Sequence, residues 1–110
     1  MDIIFKTTKL EKIFNSEREL LKEYGKQSEA IKRRMAVLRG AACLEQVSHL
    51  PPEGCHELHP LKSGKYAVYL KHPWRLIFCV ANNPIPVKED GGVDKTKVTA
   101  IEIQSVEDYH

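Results

Sequence analysis

The apolar residues of the chain fall into two regimes with different periods. Ile3, Ile4 and Phe5 form a short apolar run that predicts a first strand over Asp2–Lys6. From there to Val47 the spacing is helical. Leu10, Ile13 and Phe14 share one face, followed by Leu20, Leu21 and Tyr24. Thr8-Lys9-Leu10-Glu11 and Ser16-Glu17-Arg18-Glu19 both have capping-box spacing, so a short helix broken near Asn15 and a second piece ending at Gly25 are expected. Ile31, Met35, Leu38 and Ala42 then recur at four, three and four, which predicts a longer helix over about Ser28–Val47. Pro51-Pro52-Glu53-Gly54 closes the helical half, since two consecutive prolines cannot continue a helix.

Beyond that point the period drops to two. Lys65–Leu70 is rich in β-formers. In Trp74–Ala81, Trp74, Leu76, Phe78 and Val80 point one way and Arg75, Ile77 and Cys79 the other. The short connector Lys71-His72-Pro73 predicts an antiparallel hairpin. Asn82–Thr96, with prolines and glycines, reads as a long loop, and Val98–Ile103 as a final strand. The order gives an α+β fold: a short N-terminal strand, then a two-helix hairpin packed on a mainly antiparallel sheet of four to five strands. At 110 residues the chain is expected to be one domain, 1–110, with a single core.

Composition narrows the setting. No stretch approaches the ~20 apolar residues of a membrane span, and no signal-peptide pattern opens the chain. Three cysteines, Cys43, Cys55 and Cys79, are odd in number and form no C-x-x-C, which argues against a disulfide framework and for a reducing cytosol. The net charge of +2 is mild, but residues 1–40 carry ten Lys/Arg against six Asp/Glu, while from Glu89 onward six acids face two lysines. The basic front half favours a polyanionic partner. Lys32, Arg33, Arg34 and Arg39 lie off the apolar stripe and, with Lys65 and Lys71, are the candidate RNA contacts.

Candidate chemistry sits in three places: Cys55-His56-Glu57-Leu58-His59-Pro60-Leu61-Lys62, Arg75 within an apolar strand, and the terminal Asp108-Tyr109-His110. The bland readings are a surface histidine in a loop, a basic turn, a structural ion pair and a frayed end. Cys55, His56 and His59 lack the spacing of a structural zinc motif. There is no phosphate-binding glycine loop and no nucleophile elbow.

Taken in order, Leu58-His59-Pro60-Leu61-Lys62, Lys62-Ser63-Gly64-Lys65, Trp74-Arg75-Leu76-Ile77-Phe78 and the terminal Asp108-Tyr109-His110 resemble the HigB branch of the RelE/ParE toxin superfamily. The specific likeness covers residues 55–81 and 98–110, a little over a third of the chain. The turn after Lys62 is shorter and less charged than the family's, and Asn82–Thr96 is longer and more acidic. The resemblance implies a bacterial, cytoplasmic toxin of a type II toxin–antitoxin module, an endoribonuclease that cuts mRNA in the ribosomal A site with no cofactor or metal. It implies a HigA-like helix-turn-helix antitoxin as partner, operator DNA reached only through that antitoxin, and no membrane. Transferred residue by residue, it makes His59, Lys62, Arg75, Asp108, Tyr109 and His110 the catalytic set. His59 and His110 suit proton transfer, Arg75 and Lys62 the phosphate charge, Tyr109 the nucleotide and Asp108 support of the tail. On this reading the final strand delivers the tail towards the His59 loop. The alternatives are a ParE-like gyrase inhibitor and a catalytically inactive nucleic-acid- or protein-binding relative.

Overall fold

The computed structural model describes residues 1–58 and 64–108. Strand β1 (Asp2–Phe5) is followed by helices α1 (Thr8–Phe14), α2 (Glu17–Tyr24) and α3 (Ser28–Gly40), then by β2 (His56–Glu57), β3 (Lys65–Tyr69), β4 (Trp74–Val80) and β5 (Ala100–Asp108). The strands form one sheet in the order β1-β5-β4-β3-β2. Every neighbouring pair is antiparallel except β1 with β5, which is parallel. The expected α+β architecture is therefore present. No helix among the described residues is long and apolar enough to cross a membrane.

The core lies between the helices and one face of the sheet. Ile31, Met35 and Leu38 of α3 meet Leu76, Phe78 and Val80 of β4, with Ile101 and Ile103 of β5 beside them. Tyr66 of β3 stacks on Phe78, ring centroids 6.0 Å apart. The alternation read from β4 holds, and Ile77, on the second face, is also buried. On the α1–α2 side, Ile13 and Leu20 are buried, but Leu21, expected on the apolar face, is 61 % exposed.

Local rules fix the helix starts. Ser16 accepts from the Glu19 amide at 3.2 Å, as its capping spacing predicts. The first cap slips by one residue: Thr7, not Thr8, accepts from the Leu10 amide at 3.1 Å. Helix α3 stops at Gly40, short of the predicted Val47. Leu44 and Val47 still reach the core, from an extended segment and the 3₁₀ turn Leu44–Gln46. Ala42, four residues after Leu38, continues the apolar spacing in sequence but lies past the helix and is exposed.

The final strand is longer than expected and runs to Asp108. A β-bulge explains the missed half. Phe78 pairs with Ile103 but Ile77 pairs with Ser105, so Gln104 is an extra residue on β5. The insertion breaks the alternation after Ile103 and returns Val106 to the core side.

Candidate functional site

On the face of the sheet away from the helices, three neighbouring strands bring polar groups together around Arg75. The alternation of β4 turns Arg75 to this face. Tyr69 of β3 and Glu107 of β5 lie opposite it in register. The guanidinium carbon sits 5.4 Å from the Tyr69 ring centroid, within cation–π range. Arg75 Nη1 lies 3.2 Å from Nε2 of His56, which reaches across from edge strand β2. The His56 and Tyr69 rings are tilted at 52° with centroids 5.8 Å apart.

The second nitrogen of His56 fixes its tautomer. Nδ1 is 2.8 Å from the Gly54 carbonyl oxygen, which can only accept, so Nδ1 carries the proton and donates. Nε2 then presents its lone pair to the guanidinium. Gly54 also makes room for Tyr69. Its φ is +55°, and a Cβ there would fall 2.2 Å from Tyr69 Cε2. The backbone locks the same place: the Tyr69 amide donates to the Glu53 carbonyl at 2.8 Å.

A second polar group flanks the bulge on β4 and β5. Gln104 Nε2 donates to Glu102 at 2.6 Å and to Cys79 Sγ at 3.2 Å. Burial and the Glu102 carboxylate push the Cys79 thiol up. Burial pushes Cys55 up to about 11, so neither thiol has the acidified character of a nucleophilic cysteine. Burial, with Glu57 nearby, also raises the Tyr66 phenol. Among the described residues, no group of three His, Cys, Asp or Glu side chains is placed to hold a metal ion.

His59, Lys62, Tyr109 and His110 lie outside the described residues. Their points of attachment are described. Leu58 donates its amide to the Lys65 carbonyl at 2.8 Å, which ties the approach to residue 59 to the Lys65 end of β3. Lys65 pairs with Cys79. Asp108 pairs with Trp74, at the opposite end of β4. The five steps from Cys79 to Trp74 along β4, at about 3.3 Å each, separate the two ends by roughly 17 Å. The tail is therefore attached beside Arg75, and the His59 loop at the far end of the β3–β4 pair.

The cationic candidates divide between the two layers. Arg33 and Arg39 are exposed on α3, Lys65 is exposed on β3, and Lys71 is exposed in the β3–β4 turn. Lys32 pairs with Glu29 at 2.8 Å and with Glu17 at 3.7 Å. Arg34 departs from the expectation of a residue free to meet phosphate. It is 8 % exposed, and its Nε donates to the Tyr69 carbonyl at 2.7 Å. It clamps α3 to the end of β3, and the Gln27 side chain, accepting from the Lys71 amide at 2.9 Å, holds the adjoining turn. Arg34→Met should therefore lower stability by about 1–3 kcal/mol in urea unfolding, because it leaves a carbonyl without its donor. A variant as stable as the parent would return Arg34 to a surface role.

His56 is the site residue that sequence reasoning passed over. It entered that reasoning only beside Cys55 as a metal ligand. The available signal was alternation: Cys55 is buried, which turns His56 to the face that carries Arg75. No family model matches the chain, and no curated protein or solved structure matches it either.

Proposed function

We propose that this chain is a HigB-like endoribonuclease toxin that cuts messenger RNA held in the ribosomal A site, with a helix-turn-helix antitoxin as its partner. The observation that carries the reading is the oriented guanidinium of Arg75, next to the strand that leads into Tyr109 and His110. The ribose 2′-OH attacks the adjacent phosphorus. The 2′-O–P bond forms, the P–O5′ bond breaks, and a 2′,3′-cyclic phosphate and a 5′-OH result. One proton leaves the 2′-OH and another is given to the departing O5′, which are the tasks of His59 and His110. Arg75 and Lys62 balance the charge that builds on the phosphoryl oxygens. Tyr109 positions the nucleotide and Asp108 supports the tail. A general base contributes about 10²–10⁴-fold, and an mRNA already held by the ribosome supplies much of the orientation.

One observation favours a second reading, a binder without RNA chemistry. The segments bearing His59 and His110 attach at opposite ends of the β3–β4 pair. A single experiment separates the two. Purified protein added to ribosomes programmed with a defined mRNA should produce a discrete cut in the A-site codon, with a cyclic phosphate on the upstream fragment. Ribosome binding without a cut would support the binder. A DNA-damage response on expression, with translation intact, would point to gyrase.

A further inference from the structure

We infer that His56 is a positioning residue that sets the orientation of the Arg75 guanidinium for an RNA phosphate, an inference that rests on the endoribonuclease reading of this face. Two of the contacts on Arg75 bear on how its guanidinium is turned. The Tyr69 ring, 5.4 Å from the guanidinium carbon, supplies a face to lie over. It does not fix rotation within the guanidinium plane, because a ring face has no directional acceptor. His56 supplies a directional acceptor, since its Nε2 lies 3.2 Å from Nη1. A planar fork binds a phosphate through two parallel N–H groups only when its plane and rotation are both right.

The histidine is itself held so that it can do nothing else at that nitrogen. The Gly54 carbonyl accepts a hydrogen bond from Nδ1–H at 2.8 Å, which leaves Nε2 as an acceptor. Gly54 is anchored in turn, its amide donating to the Leu50 carbonyl at 2.9 Å, and the next amide, of Cys55, donates to the Ser48 carbonyl at 2.9 Å. The line of support therefore runs from the 48–55 turn through the imidazole to the guanidinium. His56 touches Arg75 and acts through it, so its effect belongs to the transition state that Arg75 stabilises.

Two amide variants separate the two hydrogen bonds of the ring. In His56→Asn the shorter side chain can still donate to the Gly54 carbonyl but has no acceptor at the Nε2 position. In His56→Gln the side-chain oxygen reaches about that position and restores an acceptor for Nη1. The wild-type Arg75 Nη signals in ¹⁵N spectra should be resolved, because the bond slows rotation about the guanidinium. They should merge in the Asn variant and separate again in the Gln variant. In the programmed-ribosome assay, the Asn variant should lose about 10–100-fold in kcat with KM for the ribosome unchanged, the scale expected of a misplaced catalytic group. The Gln variant should recover most of that loss. Wild-type cutting by the Asn variant, or Nη signals that do not respond to it, would overturn the inference. If the wild-type protein does not cut, the endoribonuclease reading fails, and the spectra alone decide whether His56 orients Arg75.

Discussion

A protein carrying Gly54→Ala is expected to lose about 2–6 kcal/mol of stability and to disorder the surroundings of Arg75 in the same step. Two costs add. A side chain at φ +55° is strained, at roughly 1–3 kcal/mol, and forcing atoms into filled space costs about 1–3 kcal/mol more. The new Cβ would lie 2.2, 2.3 and 2.7 Å from Cε2, Cδ2 and Cζ of Tyr69. With its amide bonded to Glu53 and its carbonyl to Arg34, Tyr69 can retreat only by rotating its ring away from His56 and the Arg75 guanidinium. Gly91→Ala provides the control. Its φ is +87° but nothing lies within 4 Å of the added carbon, so only the strain remains. Urea unfolding of the two variants isolates the packing cost, and adding Tyr69→Ala to Gly54→Ala should recover part of it. Equal stability of the two glycine variants would show that the ring gives way freely.

The second large effect concerns chemistry. Arg75→Lys should reduce A-site cutting by about 10²–10³-fold, the usual cost of removing a preorganised donor to developing charge. The charge survives, but the planar fork that lies over Tyr69 and meets His56 does not. Unfolding should be close to that of the parent, since the side chain sits on the face away from the main core. If the lysine variant unfolds, Arg75 is chiefly structural. If it cuts normally, a point charge is sufficient and the fork has no role.

What the sequence disclosed depended on whether periodicity survived. β3 was readable because Lys65–Leu70 is rich in β-formers, β4 because two-residue alternation runs through it, and the hairpin followed from a three-residue connector. The end of α3 was not, because Ala42 keeps the four-residue step from Leu38 although it lies beyond the helix and is exposed. The far half of β5 was hidden by Gln104, which shifts the phase of everything after it. Arg75 stood out as a charge in an apolar strand. Arg34 was misjudged because a helical wheel shows only the helix, and its acceptor, the Tyr69 carbonyl, belongs to a strand 35 residues away in the chain. His56 was missed for a related reason. Its importance comes from a partner two strands across the sheet, and no local pattern encodes that contact.

The place of β5 in the sheet has a consequence for synthesis. It lies between β1 and β4, so β1 has no described strand beside it until β5 arrives, and one edge of β4 is open until then. Contacts so distant along a chain form late and slow folding, since a large loop must close before they repay it. A nascent chain extending to Val98 can build the helices and the β3–β4 hairpin, but it exposes Phe78 and Leu76 beside a vacant slot. Insertion of residues 100–108 fills that slot, brings Ile101 and Ile103 into the core and sets Glu107 opposite Arg75 in one event. The row of side chains around Arg75 is thus completed only once residues 100–108 have been made, and fragments ending before Ala100 should be prone to edge-to-edge association instead.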